Sequence, residues 1–261
     1  MRLLVAIDIG NTNITFGIFS KKTGELLNSG NINTDLSITT EELAIKYRDL
    51  KKLWRIEQNN IEEEVLICSV VPQLNYEFLH MFEKYFKLKA HIIENGEIPL
   101  EVEYDFPSEI GTDRLINAFA GVKLFANTNL IIVDFGTATT LDVVSRNKAY
   151  LGGVILPGII TSLRSLETKA AKLPHIHLSP PARVVGKNTV ECIRSGVFHG
   201  YGGMIDELVN RIVSEEKWCD FLVIATGGLS RIIKDFSKKI ASIDPYLTLK
   251  GIYYLWKEKK F

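Results

Sequence analysis

One short pattern occurs twice in this chain and constrains the fold more than any other feature. In the first copy, the apolar run Leu3–Ile7 leads into Asp8-Ile9-Gly10-Asn11-Thr12; in the second, Leu130–Val133 leads into Asp134-Phe135-Gly136-Thr137-Ala138. Each copy has an apolar run of strand length, then an acid and a glycine, then β-type residues that return as a hairpin. A repeat of this size predicts two similar half-domains that face a cleft.

The rest of the chain alternates strand-like and helix-like segments, which favours an α/β fold. Thr39 and Glu42 have the spacing of a helix-starting capping box. We predict strands at Leu3–Asp8, Ile14–Phe19, Leu26–Ile32, Val65–Val70, Ala90–Ile93, Leu130–Asp134, Leu141–Ser145, Tyr150–Leu156 and Phe221–Thr226. We predict helices from Thr39, at Asn75–Phe86, Leu115–Phe125, Ile159–Lys172 and Thr189–Val213, and from Gly228 to about Ile240. The boundary is placed at the helix near Leu115, giving half-domains 1–114 and 115–261.

The two repeated turns have the chemistry of a phosphate site. A glycine lets backbone N–H groups approach an anion, and the hydroxyl or amide side chains that follow can complete the hydrogen bonding. The carboxylates of Asp8 and Asp134 would repel a phosphate, so a cation such as Mg²⁺ is needed between the carboxylates and the phosphate. An acid and a glycine after one strand also make an ordinary β-turn, but two copies favour the phosphate interpretation. The predicted phosphate-binding residues are Asp8, Gly10, Asn11, Thr12, Gly136, Thr137 and Thr139.

Two further glycine segments each have two interpretations. Thr226-Gly227-Gly228 follows an apolar strand and precedes a helix, so it either brings bare backbone to a nucleotide or makes a tight connection. Gly152–Ile159 either lines a pocket or turns a strand into a helix. Walker A and Gly-x-Gly-x-x-Gly sequences are absent from the chain.

The segment Tyr104–Arg114 lies between the two turns and ends where a helix is predicted to begin. Taken alone, Asp113 is an ordinary helix cap and Arg114 its solvated neighbour. Between two phosphate sites, the same Asp113 is a candidate general base for a hydroxyl nucleophile. Arg114 could bind an anionic substrate through its two-pronged guanidinium.

Charge and cysteine usage exclude several classes of protein. Lys and Arg total 31 against 31 for Asp and Glu, which leaves no net positive field for nucleic-acid binding. The three cysteines, Cys68, Cys192 and Cys219, are far apart and form no Cys-x-x-Cys pair, as in a cytosolic protein with reduced thiols. Asp8 interrupts the N-terminal apolar run, and no apolar stretch reaches the roughly 20 residues that cross a bilayer. We therefore expect a cytoplasmic protein that binds neither nucleic acid nor membrane.

In order along the chain, these motifs resemble those of type III pantothenate kinase. The resemblance rests on Asp8–Asn13, Tyr104–Arg114, Asp134–Thr140, Gly152–Gly158 and Thr226–Gly228, and covers nearly the whole chain. It implies two actin-like, ribonuclease H-like half-domains with mixed sheets flanked by helices. It also implies transfer of the ATP γ-phosphate to the primary hydroxyl of pantothenate, the first step of coenzyme A synthesis. The implied cofactors are ATP, Mg²⁺ and a monovalent cation, K⁺ or NH₄⁺, and the implied assembly is a homodimer.

The resemblance also implies roles for individual residues. Asp8, with Asn11 and Thr12, matches the first phosphate and Mg²⁺ motif, and Asp113 matches the catalytic base. Asp134 resembles the residue beside the monovalent cation, while Gly227 and Gly228 fall in the nucleotide motif. The implied pantothenate contacts are Tyr104, Gly111, Thr112, Asp113, Arg114 and Ile155, together with Thr189 reaching the neighbouring subunit's site. Thr112 departs from the alanine that the family often has there.

Two alternative functions accompany this hypothesis. A regulatory or accessory protein could use the same fold, although it would have no need of the acids Asp8, Asp113 and Asp134. A kinase for another hydroxyl compound would differ within Tyr104–Arg114 and would be identified by a panel of substrates.

Overall fold

The computed structural model describes residues 2–56, 62–169 and 176–259. These residues form the strands β1 (Arg2–Ile9), β2 (Asn13–Ser20), β3 (Leu26–Asn33), β4 (Glu62–Ser69), β5 (Ala90–Ile92), β6 (Glu101–Val102), β7 (Leu130–Phe135), β8 (Ala138–Val144), β9 (Ala149–Pro157), β10 (Leu222–Thr226) and β11 (Ser242–Ile243). They form the helices α1 (Thr40–Leu53), α2 (Pro72–Met81), α3 (Thr112–Leu124), α4 (Ile159–Lys169), α5 (Thr189–Glu215), α6 (Ser230–Ile233) and α7 (Leu247–Lys259). Within these ranges, no helix combines the length and the apolar character needed to cross a bilayer.

The chain divides into two compact units. Unit 1 comprises Met1–Leu100, Phe106–Ala120 and Thr248–Phe261, and unit 2 comprises Glu101–Asp105 and Gly121–Leu247, as far as these residues are described. The predicted division into 1–114 and 115–261 differs from these units chiefly at the C-terminal end. There, α7 packs within unit 1: Tyr253 stacks on Phe19 with ring centroids 5.1 Å apart, and Trp256 donates a hydrogen bond to Glu64. No local sequence signal predicts that the C-terminal helix packs against strands from the start of the chain.

Unit 1 contains a five-stranded mixed sheet in the order β3-β2-β1-β4-β5. The central strand β1 pairs antiparallel with β2 and parallel with β4, and this register places Asp8 beside Cys68. Alternate residues of β1, among them Leu3, Val5 and Ile7, lie in an apolar core with side chains of α1 and α2. The burial of this central strand places Asp8 at the end of a rigid element.

Unit 2 repeats the arrangement in a six-stranded sheet, ordered β11-β10-β7-β8-β9-β6. Its strand β7 again forms an antiparallel hairpin with the next strand and a parallel pair with a later one, here β8 and β10. Apolar residues of β7 and β10 pack against α5 in a separate core. The predicted α/β architecture of mixed sheets flanked by helices is confirmed, and so is the repeated strand-turn-strand motif.

Local signals predicted most of the elements, although several begin about three residues earlier than predicted. Thr39 and Glu42 form the predicted capping box at the start of α1. The helix predicted from Gly228 to Ile240 is wrong: α6 ends at Ile233 and a 3₁₀ turn ends at Phe236. The carboxylate of Asp206 accepts the backbone N–H groups of Lys238 and Lys239, which satisfies that backbone without a helix.

Strand β8 begins at Ala138, three residues before the predicted Leu141. The threonines at 139 and 140 are therefore strand residues whose side chains alternate between the faces of the sheet. The predicted continuation of α4 to Lys172 lies outside the described residues.

Candidate active site

The first repeated turn connects β1 to β2 in unit 1. The Gly10 N–H donates to the Asn13 carbonyl at 3.0 Å, and the hydroxyl of Thr34 donates to the Gly10 carbonyl at 2.6 Å. These bonds hold the turn, while Asn11 and Thr12 are exposed at its tip. The turn therefore presents amide and hydroxyl groups to solvent immediately after the carboxylate of Asp8.

Asp8 and Asp113 both act on the buried Cys68 near the carboxyl end of β4. Cys68 is fully buried on β4 beside Asp8. Burial first, and then the negative charges of Asp8 and Asp113, raises the pKa of the Cys68 thiol well above its usual value. Both carboxylates therefore lie within electrostatic range of one buried atom, although they are far apart in sequence. Cys68 stays a neutral thiol, and sequence analysis gave it no role.

Asp113 is in the first turn of α3, where its carboxylate accepts the Arg114 backbone N–H at 2.8 Å. Burial raises the pKa of Asp113, against the smaller lowering effects of that N–H group and the Arg114 charge. Part of the residue remains accessible. Asp113 therefore caps the start of α3 and also has a desolvated carboxylate that is partly accessible. The interpretation as a helix cap and the interpretation as a general base are compatible. A carboxylate with a raised pKa is a stronger proton acceptor than an ordinary aspartate.

Gly111 makes room for this carboxylate. A Cβ atom at position 111 would lie 2.5 Å from Asp113 Oδ1, closer than real Cβ contacts allow. The Gly111 carbonyl also accepts the N–H of Arg114 at 3.0 Å, which starts the helix. The glycine thus allows the Asp113 side chain to fold back over the preceding turn.

Thr112 and Asn95 fix the chain just before α3. The Thr112 hydroxyl donates to Asn95 Oδ1 at 2.7 Å, and Asn95 Nδ2 donates to the Ile110 carbonyl at 2.8 Å. The threonine that departs from the resembled family is therefore engaged in a local bond that alanine could not make. Asn95 was missed by sequence analysis because only the fold brings it to this segment.

The second repeated turn connects β7 to β8 in unit 2. Gly136 and Thr137 are exposed, and the Gly136 N–H donates to the Ala138 carbonyl at 3.1 Å. The Thr137 carbonyl accepts the Gly158 N–H at 3.1 Å and the Thr161 hydroxyl at 2.8 Å. A Cβ at position 158 would lie 2.3 Å from that carbonyl, so glycine is needed there. The segment ending in Gly158 thus turns a strand into a helix and also supports the second turn.

Gly227 lies directly against Asp134. Its φ is +84°, and a Cβ would lie 2.5 Å from Asp134 Oδ1 and 2.7 Å from the Phe135 carbonyl. Among the described residues, no atom beyond the two chain neighbours comes within 4 Å of the corresponding position on Gly228. Because Asp134 pairs with Thr226 across parallel strands, the glycine pair brings bare backbone to the end of β7 where the carboxylate lies.

The structure separates Thr139 from the other predicted phosphate ligands. Its side chain is fully buried, and its hydroxyl has no hydrogen-bond partner among the described residues. Thr139 pairs with Phe135, whereas Thr140 pairs with Asp134 and shares its face of the sheet. Thr140, not Thr139, is the neighbour of the Asp134 carboxylate.

The remaining predicted residues fall in two places. Tyr104 and Ile155 are exposed on unit 2, and Thr189 is exposed at the first position of α5, where Asn188 caps the helix. Gly111, Thr112 and Arg114 accompany Asp113 on unit 1. Within the described part of the chain, no group of three or more His, Cys, Asp or Glu residues could hold a metal ion.

Comparison with known proteins gives one family and a common fold. The sequence model described as type III pantothenate kinase matches residues 4–211. A Campylobacter jejuni structure described as a Baf family transcriptional activator is 20% identical, with a TM-score of 0.59 over 98% of each chain. The activator of 2-hydroxyisocaproyl-CoA dehydratase from Clostridium difficile, with bound ADPNP, is 12% identical at a TM-score of 0.55, over 99% of this chain and 96% of that one. A ROK family glucokinase from Streptomyces griseus, in complex with glucose and AMPPNP, is 13% identical at 0.51, over 98% and 99%.

Proposed function

This chain belongs to the type III pantothenate kinase family and is a kinase, and we propose that it phosphorylates pantothenate to 4'-phosphopantothenate. The reaction would be the first step of coenzyme A biosynthesis, with ATP as the phosphoryl donor. The observation that carries this proposal is the pair of carboxylates, Asp8 near the carboxyl end of β1 and Asp113 in the first turn of α3, both of which raise the pKa of the buried Cys68.

Asp113 serves as the general base. The primary hydroxyl oxygen of pantothenate forms a bond to the γ-phosphorus while its proton passes to the Asp113 carboxylate. The bond from the γ-phosphorus to the bridging oxygen breaks, and ADP leaves with the electron pair. Burial raises the pKa of Asp113, which suits it to accept a proton. Arg114, on the same helical turn, provides a two-pronged partner for the pantothenate carboxylate.

Asp8 would hold Mg²⁺, with Asn11 and Thr12 beside it for phosphate oxygens. One carboxylate followed by exposed amide and hydroxyl groups fits an ion that keeps most of its waters and is otherwise bound by phosphate. When bound, Mg²⁺ neutralises charge on the transferring phosphoryl group. The turn's own contribution is positioning, because its backbone is fixed by Thr34.

The second repeated turn, in unit 2, has residues of the same chemical kind. Gly136, Thr137 and Gly228 are exposed, and with Gly227 they would bring glycine backbone and one hydroxyl to the nucleotide phosphates. Asp134 is the proposed ligand of a monovalent cation, K⁺ or NH₄⁺. Thr139 is left out of the proposed ligands because its hydroxyl is fully buried.

Pantothenate would also contact Tyr104 and Ile155, which are exposed on unit 2. The proposed assembly is a cytoplasmic homodimer, in which the exposed Thr189 at the start of α5 serves the neighbouring subunit's pantothenate site.

A coupled assay of ADP release tests this function. Purified protein, ATP, Mg²⁺ and a panel of hydroxyl compounds would be assayed with potassium, ammonium or sodium. Turnover that requires pantothenate and also potassium or ammonium is expected. Turnover with another acceptor alone would identify a different kinase, and no turnover with any acceptor would favour a regulatory protein.

The pH dependence of kcat/KM should show the raised pKa of Asp113. The base must be ionised to accept a proton, so activity is lost as pH falls through its pKa. Because burial raises that pKa above 3.8, the acid limb should lie at a higher pH than for an ordinary aspartate. A pH profile at saturating Mg²⁺ measures this, and a rate that stays constant down to the ordinary range would contradict the assignment.

A further inference from the structure

A buried carboxylate in unit 2 has no role in the function described above. Asp142 on β8 has no exposed surface. Its Oδ1 accepts the Tyr150 hydroxyl at 2.8 Å, and its Oδ2 accepts the Thr140 hydroxyl at 3.1 Å. Burying a carboxylate is costly unless hydrogen bonds compensate for the lost water. The two bonds of Asp142 supply that compensation, and they also fix the positions of the Tyr150 and Thr140 hydroxyls.

Asp142, Tyr150 and Thr140 form a hydrogen-bond network, and its Tyr150 side reaches Tyr104. Tyr150 is itself fully buried, and its ring centroid lies 6.4 Å from that of Tyr104. The backbone follows the same path, because Val102 pairs with Tyr150 and the Glu103 N–H donates to the Tyr150 carbonyl at 2.8 Å. The segment carrying Tyr104 is thus attached to β9 at Tyr150, the tyrosine that Asp142 holds.

Gly152 completes the support for the Tyr104 ring. Its φ is +114°, and a Cβ there would lie 3.6 Å from two carbons of the ring. The ring therefore lies over the strand on one side, while 38% of the residue remains exposed. This arrangement presents an aromatic face to solvent in a fixed orientation.

The Thr140 side of the network reaches the other exposed residue. Thr140 pairs with Ile155 of β9 on one side and with Asp134 of β7 on the other. Directly paired residues of antiparallel strands have neighbouring side chains on one face of the sheet. Asp142 therefore holds two hydroxyls, that of Tyr150, whose ring neighbours the Tyr104 ring, and that of Thr140, which pairs with Ile155. Tyr104 and Ile155 are the two pantothenate contacts proposed for unit 2.

We propose that Asp142 and Tyr150 are positioning residues that orient Tyr104 and the adjoining part of β9 for the acceptor substrate. They touch no substrate themselves, and they act through the Tyr104 ring. The identity of the acceptor as pantothenate rests on the proposed function, whereas the positioning role rests on the contacts within unit 2.

Tyr150→Phe tests this role, because it removes one hydroxyl and keeps the ring. The KM for pantothenate should rise about tenfold, as displacement of a substrate-contacting group can produce. The KM for ATP and kcat should remain within about twofold, since the phosphate turns and Asp113 are unaltered. Asp142→Asn should also raise the KM for pantothenate. Tyr47→Phe, at an equally buried tyrosine of unit 1, is the matched control and should leave all three parameters unchanged.

Hydrogen-deuterium exchange gives a readout that does not depend on catalysis. Exchange in the segment 101–106 should be faster in Tyr150→Phe than in the wild type, and unchanged in Tyr47→Phe. Unchanged exchange in Tyr150→Phe would overturn the positioning role whatever the acceptor is. Faster exchange in a protein that does not phosphorylate pantothenate would uphold it and reject only the proposed substrate. An equal rise in the KM values for ATP and pantothenate would show that the network only supports the fold, and it would overturn the proposal.

Discussion

Asp113→Asn is expected to lower kcat by about 10²–10⁴-fold, the range that general-base catalysis contributes. The amide can still accept the Arg114 backbone N–H, so the start of α3 should keep its geometry, but it cannot take the hydroxyl proton. Substrate binding should change much less than turnover, because the variant retains Arg114 and the phosphate turns. Steady-state kinetics with ATP and pantothenate measures both quantities.

The same variant should be at least as stable as the wild type at neutral pH. Burial raises the pKa of Asp113 in the folded state, so the folded state binds the proton more tightly than the unfolded state does. The ionised carboxylate therefore destabilises the fold once the pH exceeds the unfolded-state pKa, and the neutral amide removes that penalty. Asp49→Asn, an exposed acid on α1, is the control and should leave kcat unchanged. Wild-type turnover in Asp113→Asn would remove Asp113 from the mechanism.

Gly111→Ala is expected to cost about 10²-fold in kcat, the effect of displacing a catalytic group by about 1 Å. The new methyl group would lie 2.5 Å from Asp113 Oδ1, so the carboxylate must swing away. The next contact, with Val70 at 3.6 Å, is ordinary. Because a short side chain moves and the backbone does not, the free energy of unfolding should fall by only about 1 kcal/mol, the worth of one hydrogen bond.

Gly96→Ala is the matched control for this substitution. It adds the same methyl group in unit 1, where no atom of the described residues beyond the two chain neighbours lies within 4 Å of the new position. Kinetics and chemical denaturation of both variants separate the outcomes. Equal activity in the two variants would show that the position of the Asp113 carboxylate does not limit the reaction, whereas a large loss of stability in Gly111→Ala alone would point to backbone disruption.

The parts of the structure that local sequence signals determine were predictable. The turns after Asp8 and Asp134 follow from an apolar run that ends in an acid and a glycine. The start of α1 follows from Thr39 and Glu42, whose reciprocal hydrogen bonds need no tertiary contact. Both features depend on residues only a few positions apart, which is why composition and spacing sufficed.

The features that sequence analysis missed depend on register and on distant contacts. Thr139 and Thr140 are chemically equivalent in the sequence, but the pairing of β7 with β8 buries the first and places the second beside Asp134. A shift of one residue in register exchanges the two faces of a strand, so sequence periodicity could not decide between them. Asn95 likewise reaches Thr112 only through the fold.

The burial of Asp142 was equally unpredictable, since acids in strands are usually exposed. Its position depends on the hydroxyl of Tyr150 from the next strand. The packing of α7 within unit 1 is the same kind of feature, because Tyr253 meets Phe19 from the opposite end of the chain.

The most direct test of the central claim is phosphorus NMR of the reaction product. Purified protein would be incubated with ATP, Mg²⁺, potassium and pantothenate, and the spectrum recorded with proton coupling. Phosphoryl transfer to the primary hydroxyl predicts a new phosphomonoester signal, split by the two adjacent methylene protons, that grows as ATP is converted to ADP. Unchanged ATP, or ADP accompanied only by inorganic phosphate, would contradict the assignment of this chain as a pantothenate kinase.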